Sequence, residues 1–322
     1  MQWIVDLLVG TVLPRVAGIT LFIALGVGLA NLAVEFGAVR YIAGLAAPLT
    51  GPANLPREVG TAILTTTAST TAGYGMLAEF RESGTLDDRA TLVAVTINTF
   101  FGFVQHIFTF YAPVLIPILG LEVGLLYVGT RAAVALGITV VGVLAGAVLL
   151  SEENVDPVAL PDDVEGPDPD ESTLGEKFRG AATATKEKVV DIVPRLLVIY
   201  FLVSVLVARV DLREATAVAE PLTDMVGLPG AAVPVIAVFA FDTTSGAIAI
   251  APLLGDPFTP REAVAAMLVG GIVSFAVSTF KRSIPFQYGI WGAEFGSKVI
   301  AVNTALKVVF IAAALAVLLA PP

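Results

Sequence analysis

Two clusters of small polar residues interrupt an otherwise apolar chain: Ser69, Thr70, Thr71 and Gly73, then Asp242, Thr243, Thr244, Ser245 and Gly246. Hydroxyls beside glycine-loosened backbone offer donors and acceptors to a polar solute, and oxygen ligands to a cation such as sodium near Thr70, Thr71 and Asp242. The competing reading is helix-packing glue, because small residues let spans approach closely. Asp242 breaks the match between the clusters, since Ser69 stands in its place. A carboxylate at membrane depth costs about 2.5 to 3.5 kcal/mol or more on insertion scales. Asp242 is therefore read as a cation ligand, a proton carrier or a hydrogen-bond acceptor, against a structural ion pair with a basic residue. Asn98, Gln105 and His106 form a third polar group. One histidine is too few for a zinc site, so His106 is either a proton-responsive group or a core side chain satisfied by a carbonyl. Lys281 and Arg282 face the site and suit a carboxylate or phosphate if their helix breaks at Ser283-Ile284-Pro285. With an unbroken helix they snorkel to the interface. Arg131, Glu294, Asn303 and Lys307 read as interfacial anchors or helix-pairing residues.

The elements that hold these groups come in two copies, roughly 173 residues apart. Pro48, Leu49 and Thr50 match Pro221, Leu222 and Thr223; Leu55 and Pro56 match Leu228 and Pro229; Ile63 matches Ile236. Thr70, Thr71 and Gly73 match Thr243, Thr244 and Gly246. Polar, Gly/Thr-interrupted segments at corresponding places in two hydrophobic halves point to a transporter-like binding site.

With 56% hydrophobic and 14% charged residues and a mean hydropathy of +0.87, the chain belongs in a bilayer. Cysteine is absent, which excludes thiolate metal sites, disulfides and Cys nucleophiles. The net charge of -10 is concentrated in the Pro/Asp/Glu-rich stretch from Glu152 to Glu176, a solvated linker. An isoelectric point near 4.6 fits an acidic, archaeal-like proteome. The N-terminus has no basic region or small-residue cleavage site and reads as retained.

The first half reads as a span over Arg15 to Val34, an interfacial amphipathic helix over Glu35 to Pro48, and a polar hairpin within 56–80. A helix over Arg89 to Leu119, broken at Gln105-His106 by Pro113 and Pro117, and a final span over Glu122 to Leu150 complete it. The second half repeats the plan: Arg195 to Ala208 extended by its flanks, an interfacial Arg213 to Val226, a hairpin within 229–254, Glu262 to Phe295 interrupted at KRSIPF, and Ser297 to Leu319. The expected organisation is membrane repeat 1 over 1–150, an acidic cytoplasmic linker over 151–190 and membrane repeat 2 over 191–322. The fold class is an all-α membrane protein of two inverted repeats, each with about three transmembrane helices, a re-entrant helical hairpin and an interfacial helix. Arms of about ten apolar residues are too short to cross a bilayer singly. The rival topology lets the hairpins cross fully, giving four spans per half and parallel repeats.

Basic residues discriminate between the two. In the inverted arrangement Arg40, Arg57, Arg81, Arg89, Lys177, Arg179, Lys186, Lys188 and Arg195 fall on the linker side, and Arg15, Arg209, Arg213 and Arg261 fall opposite. The positive-inside rule then makes the linker cytoplasmic and both termini external, in a multi-pass protein of the cell membrane.

The segments LPREVGTAILTTTASTTAGYG and LPGAAVPVIAVFAFDTTSG, with the doubled order of elements, resemble the core of concentrative nucleoside transporters. Over nearly its full length the chain is similar to the nucleoside recognition, or Gate-domain, membrane proteins, a group that includes the pore region of bacterial ferrous-iron permeases. The resemblance implies an elevator-type carrier, whose hairpins and broken helices slide past a scaffold built from the first span of each half. It also implies a homo-oligomer. The tips read STTAG and DTTSG where nucleoside transporters carry Gln-Thr-Glu, so the resemblance specifies architecture more than solute.

The phosphate-loop, H-E-x-x-H and G-x-S-x-G motifs are missing, so an enzyme is not expected, nor is a cofactor. Basic or aromatic patterns for nucleic acid are missing too. The expected partners are the lipid bilayer and a small molecule or ion. The expected activity is sodium- or proton-coupled symport of a small polar or anionic solute, with a channel-like module and a non-transporting assembly factor as alternatives.

Overall fold

The computed structural model describes residues 2–35, 50–156, 173–209, 223, 227–279 and 283–320. Among them helices supply the regular structure, and no strand is present. Five helices are long and apolar enough to cross a membrane, which makes this a multi-pass all-α membrane protein. Leu21, Phe22, Leu25 and Leu29 on the first helix, and Val198 and Leu202 on the sixth, are exposed as lipid-facing side chains would be.

Helix α1 (2–35) contains a π turn over Leu8–Val12. The first hairpin follows, built from α2 (Arg57–Ala68) and α3 (Thr70–Glu82). Next come α4 (Asp88–Leu119) and α5 (Leu121–Leu149). In the second half α6 is Leu174–Arg209, the hairpin helices α7 and α8 are Ala232–Phe241 and Thr243–Ile250, α9 is Pro260–Ser278 and α10 is Ile284–Leu318.

The repetition extends to backbone conformation. Ser69 and Asp242 are both extended, with φ/ψ of -144/110 and -154/122, and each caps the helix after the hairpin break. Asn54 and Gly227 both have positive φ, and Leu55 N–H donates to the Thr50 carbonyl as Leu228 does to Thr223. Gly120 and Gly292 have nearly the same φ/ψ, 79/168 and 73/168, a region open only to glycine, and each turns the chain into a following span.

Each hairpin is tight because a glycine sits where its arms meet. A Cβ on Gly73 would strike Thr66 and the Ala62 carbonyl, and one on Gly246 would strike Phe239. With 12 residues at 1.5 Å each, α2 is about 18 Å long, short of a bilayer core. Both ends of the first hairpin lie where α5 ends. Asn54 donates to the Leu150 carbonyl at 3.1 Å, and Leu86 bridges to Val155.

Helices α1 and α6 pack antiparallel: the Arg209 guanidinium lies 3.7 Å from the Trp3 ring centroid, and Gly28 faces Thr185. Helices α5 and α10 also run in opposite directions overall. Lys298, early in α10, reaches Asp88 at 3.2 Å, beside the end where α5 finishes.

One expectation about an individual helix needs correction. The helix over 88–119 is not broken at Gln105-His106. It continues as a π segment, Ile107–Leu115, in which Ile116 N–H bonds the Tyr111 carbonyl and the widened register absorbs the donor that Pro113 lacks. The span over Arg195 to Ala208, expected to be extended by its flanks, begins at Leu174. Thr173 and Glu176 cap it reciprocally, with the carboxylate accepting from Thr173 N–H at 2.8 Å. The interfacial helices expected over Glu35 to Pro48 and Arg213 to Val226 lie almost wholly outside the described residues, as do Lys281 and Arg282 of the KRSIPF interruption.

Candidate functional site

A cavity of about 260 Å³ lies between α3, α4, α5 and α10. It gathers Thr70 from the hairpin tip, Asn98 and His106 from α4, Arg131 from α5, and Asn303 and Lys307 from α10. Tyr74, Phe103, Tyr111 and Phe286 supply aromatic walls, with Tyr74 and Phe286 edge to face at 5.6 Å.

Local departures from regular helix aim these groups inward. Between Ile97 and Phe100 the ladder of α4 opens around the buried Thr139 side chain of α5. The Thr139 hydroxyl donates to the Ile97 carbonyl at 2.8 Å and accepts from Phe100 N–H at 3.1 Å. Such an insertion bends a helix where it enters the ladder. Asn98 sits at this point, 1% exposed, with both side-chain polar atoms unpartnered. Thr139→Val keeps the shape and removes the hydroxyl, leaving a carbonyl and an N–H buried without partners. It is expected to cost about 2 kcal/mol, measurable as a lower melting temperature of the detergent-solubilised protein. A cost indistinguishable from zero would show that the opening of α4 does not depend on this hydroxyl.

The cavity is unusual in its charge. Arg131 and Lys307 both line it, and no Asp or Glu is among the described residues of its wall. Arg131 has neutral partners, the Tyr111 and Tyr127 phenols. Neither cation has an ion-pair partner among the described residues. Thr99 Oγ1 and Asn303 Oδ1 are buried without hydrogen bonds, as are both polar atoms of Asn98. Each such group costs about 1 to 3 kcal/mol while unmatched.

Its position follows from the repeat. Aligning Gly120, Glu122 and Gly124 on Gly292, Glu294 and Gly296 pairs Arg131 with Asn303 and Ala135 with Lys307. All four line the cavity, so equivalent positions of the two halves converge on one point. In a two-fold arrangement that happens only near the axis. Carrying the repeat two helices beyond the hairpins brings Arg131 and Asn303 into register from sequence, a signal distinct from their expected roles as anchors or helix-pairing groups. Glu294 does behave as a surface group, 91% exposed and 3.5 Å from Lys298.

Of the residues singled out from sequence, the structure brings Thr70, Asn98 and His106 into the cavity. His106 Nδ1 is 3.1 Å from the Gly102 carbonyl of its own helix, the satisfied state weighed against a proton-responsive role. Gln105 is outside the lining, and its carbonyl accepts from Thr109. Ser69 caps α3 by accepting from Ala72 N–H at 3.3 Å, and Thr71 is exposed at the tip. Gly73 and Gly246 sit where the hairpin arms close on each other.

Asp242, Thr243, Thr244, Ser245 and Gly246 are not in the cavity wall. Asp242 Oδ1 accepts from Ser245 N–H and Ser245 Oγ, both at 2.7 Å, and from Arg195 Nη1 at 3.1 Å. Asp242 thus makes the ion pair with a basic residue, Arg195, that was one of its two expected roles. Groups of three or more His, Cys, Asp or Glu suited to a metal are absent among the described residues. Lys281 and Arg282 lie outside the described residues.

No family model matches the chain, and no solved structure matches it. Two uncharacterised proteins of the archaeon Methanocaldococcus jannaschii are similar to it. One is 26% identical over 244 residues, 74% of this chain and 72% of that protein. The other is 20% identical over 306 residues, 92% of this chain and 95% of that protein, so the similarity runs through both halves.

Proposed function

We propose that this protein is a secondary carrier built from two inverted repeats, which moves a small polar or anionic solute across the cell membrane by alternating access. The observation that carries the reading is the polar cavity at the meeting of α5 and α10, where equivalent positions of the two halves converge. Inverted-repeat carriers hold their solute at such a place, near the bilayer midplane and beside interrupted helices. Inversion is supported by the antiparallel packing of α1 and α6, the first spans of the two halves. It is supported also by a first hairpin whose two ends return to the side where α5 finishes. Buried polar groups without partners are tolerated in a membrane where a cavity supplies them, and they mark solute pathways. The elevator motion, with the hairpins sliding against α1 and α6, comes from the resemblance to the nucleoside recognition proteins. In this reading the acidic linker is cytoplasmic and both termini are external.

The test exploits the absence of cysteine. Single cysteines at Thr71 and Ser245, one per hairpin tip, are labelled in oriented membranes with a membrane-impermeant thiol reagent. Reaction of Thr71→Cys from the linker face and of Ser245→Cys from the other is expected. Labelling of both from one face rejects inversion, and reaction of neither from any face rejects the carrier.

A further inference from the structure

Resting on the carrier reading, we propose that the cavity binds a small organic acid, with its carboxylate on Arg131 and Lys307 and its carbon body against Tyr74 and Phe286. Two cations face the same space with no carboxylate among the described residues of the wall, and the phenols beside Arg131 carry no compensating charge. An anion supplies the missing charge. The guanidinium fork takes a carboxylate through two parallel hydrogen bonds, while the lysine ammonium contributes a point charge.

The unmatched polar atoms define the rest of the ligand. Asn98 Nδ2 and the Thr99 hydroxyl are donors for further oxygen atoms. Asn98 Oδ1 and Asn303 Oδ1 are acceptors, and a ligand hydroxyl or amine answers them better than a bare inorganic ion. Gln287 accepts from Trp291 Nε1 at 2.8 Å through its oxygen and hydrogen-bonds the Tyr74 phenol, which fixes the wall beside the ligand. The aromatic pair completes a site with one charged and one apolar face. Its volume of about 260 Å³ holds a molecule of a few carbons, below the range of drug-sized ligand pockets. A neutral solute of the same size would leave both cations as they are.

The test uses the full-length protein in detergent, titrated calorimetrically and by thermal shift with succinate, acetate, inorganic phosphate and uridine. Succinate is expected to bind saturably and raise the melting temperature, and Arg131→Gln and Lys307→Gln are each expected to weaken it at least tenfold. Glu294→Gln, on the exposed surface, should leave binding unchanged. Asn303→Asp places a carboxylate beside the cations from within. It is expected to raise the melting temperature of the unliganded protein and abolish the response to succinate, and this gain decides the matter even if a charge-deleting variant fails to fold. Binding of phosphate without either carboxylate would overturn the organic-acid assignment. Binding of uridine without any anion would overturn the ligand class while leaving the carrier standing. Conversely, failure of both hairpin cysteines to label from any face would reject the carrier without touching the binding result.

Discussion

Replacing Asp242 by alanine should destabilise the detergent-solubilised protein by about 3 kcal/mol, the sum of a lost helix cap of about 1 and a lost charge-assisted hydrogen bond of about 2. One carboxylate oxygen holds the first turn of α8 and the Arg195 guanidinium of α6 together, so its removal releases the hairpin from the neighbouring span. Both side chains are about a third exposed, 33% for Asp242 and 32% for Arg195. That exposure keeps the loss below the 3 to 5 kcal/mol typical of breaking a fully buried pair. Among the described residues the arginine then keeps Asp191, 3.7 Å away and largely exposed. Removing Arg195 as well should recover part of the loss, because an unmatched cation goes with it. Ser69→Ala at the equivalent position should cost no more than about 1 kcal/mol, since Ser69 accepts one N–H and is exposed. Unfolding in graded denaturant separates these cases, and equal losses at the two positions would show that the ion pair contributes nothing.

Adding a single methyl group to Gly246 is expected to cost a similar amount, about 3 kcal/mol, at the upper end for overpacking. The new Cβ would stand 2.6 Å from Phe239 Cα and 2.5 Å from its ring, and backbone atoms cannot swing aside as a flexible side-chain end would. The arms of the second hairpin would have to separate, and Gly270 of α9, which closes on the same Phe239, would lose its fit. Gly75→Ala in the other hairpin is the contrasting case. Nothing lies within 4 Å of the added atom, and alanine is the better helix former, so stability should rise by about 0.5 to 1 kcal/mol. Parallel thermal melts of the two variants test the argument, and a tolerated Gly246→Ala would mean that the arms are not in contact at the break.

The doubled plan and the hairpin breaks were legible in the sequence because they rest on local chemistry. Thr70, Thr71 and Gly73 recur as Thr243, Thr244 and Gly246 because the same extended turn, cap and close helix contact recur. The hydroxyls of Thr65, Thr66 and Thr67 bond back to their own helix, which is how a segment so rich in threonine stays helical. The cavity was legible only in part. Asn98 and Thr70 stand out as polar residues in apolar surroundings, whereas Arg131 and Lys307 sit in spans that look like ordinary lipid-crossing helices when read one at a time. Their meeting depends on the crossing of α5 and α10, which is set by packing between distant parts of the chain. Asp242 drew attention by its charge and proved to be a cap with an arginine partner, since Arg195 lies 47 positions away and hairpin packing alone brings them together.

The convergence of Arg131 with Asn303 and of Ala135 with Lys307 at one cavity bears on stoichiometry and descent. A site within either half would have been copied when the half was copied, and the chain would carry two. A site on the boundary between a half and its own image exists once however many copies of the half are made, so each chain should saturate with a single ligand. If the halves began as identical pairing chains, that boundary was lined by the same residues from both sides. After fusion each side was free to diverge, and a lining with arginine opposite asparagine and lysine opposite alanine is one that no symmetric pair of identical chains could build.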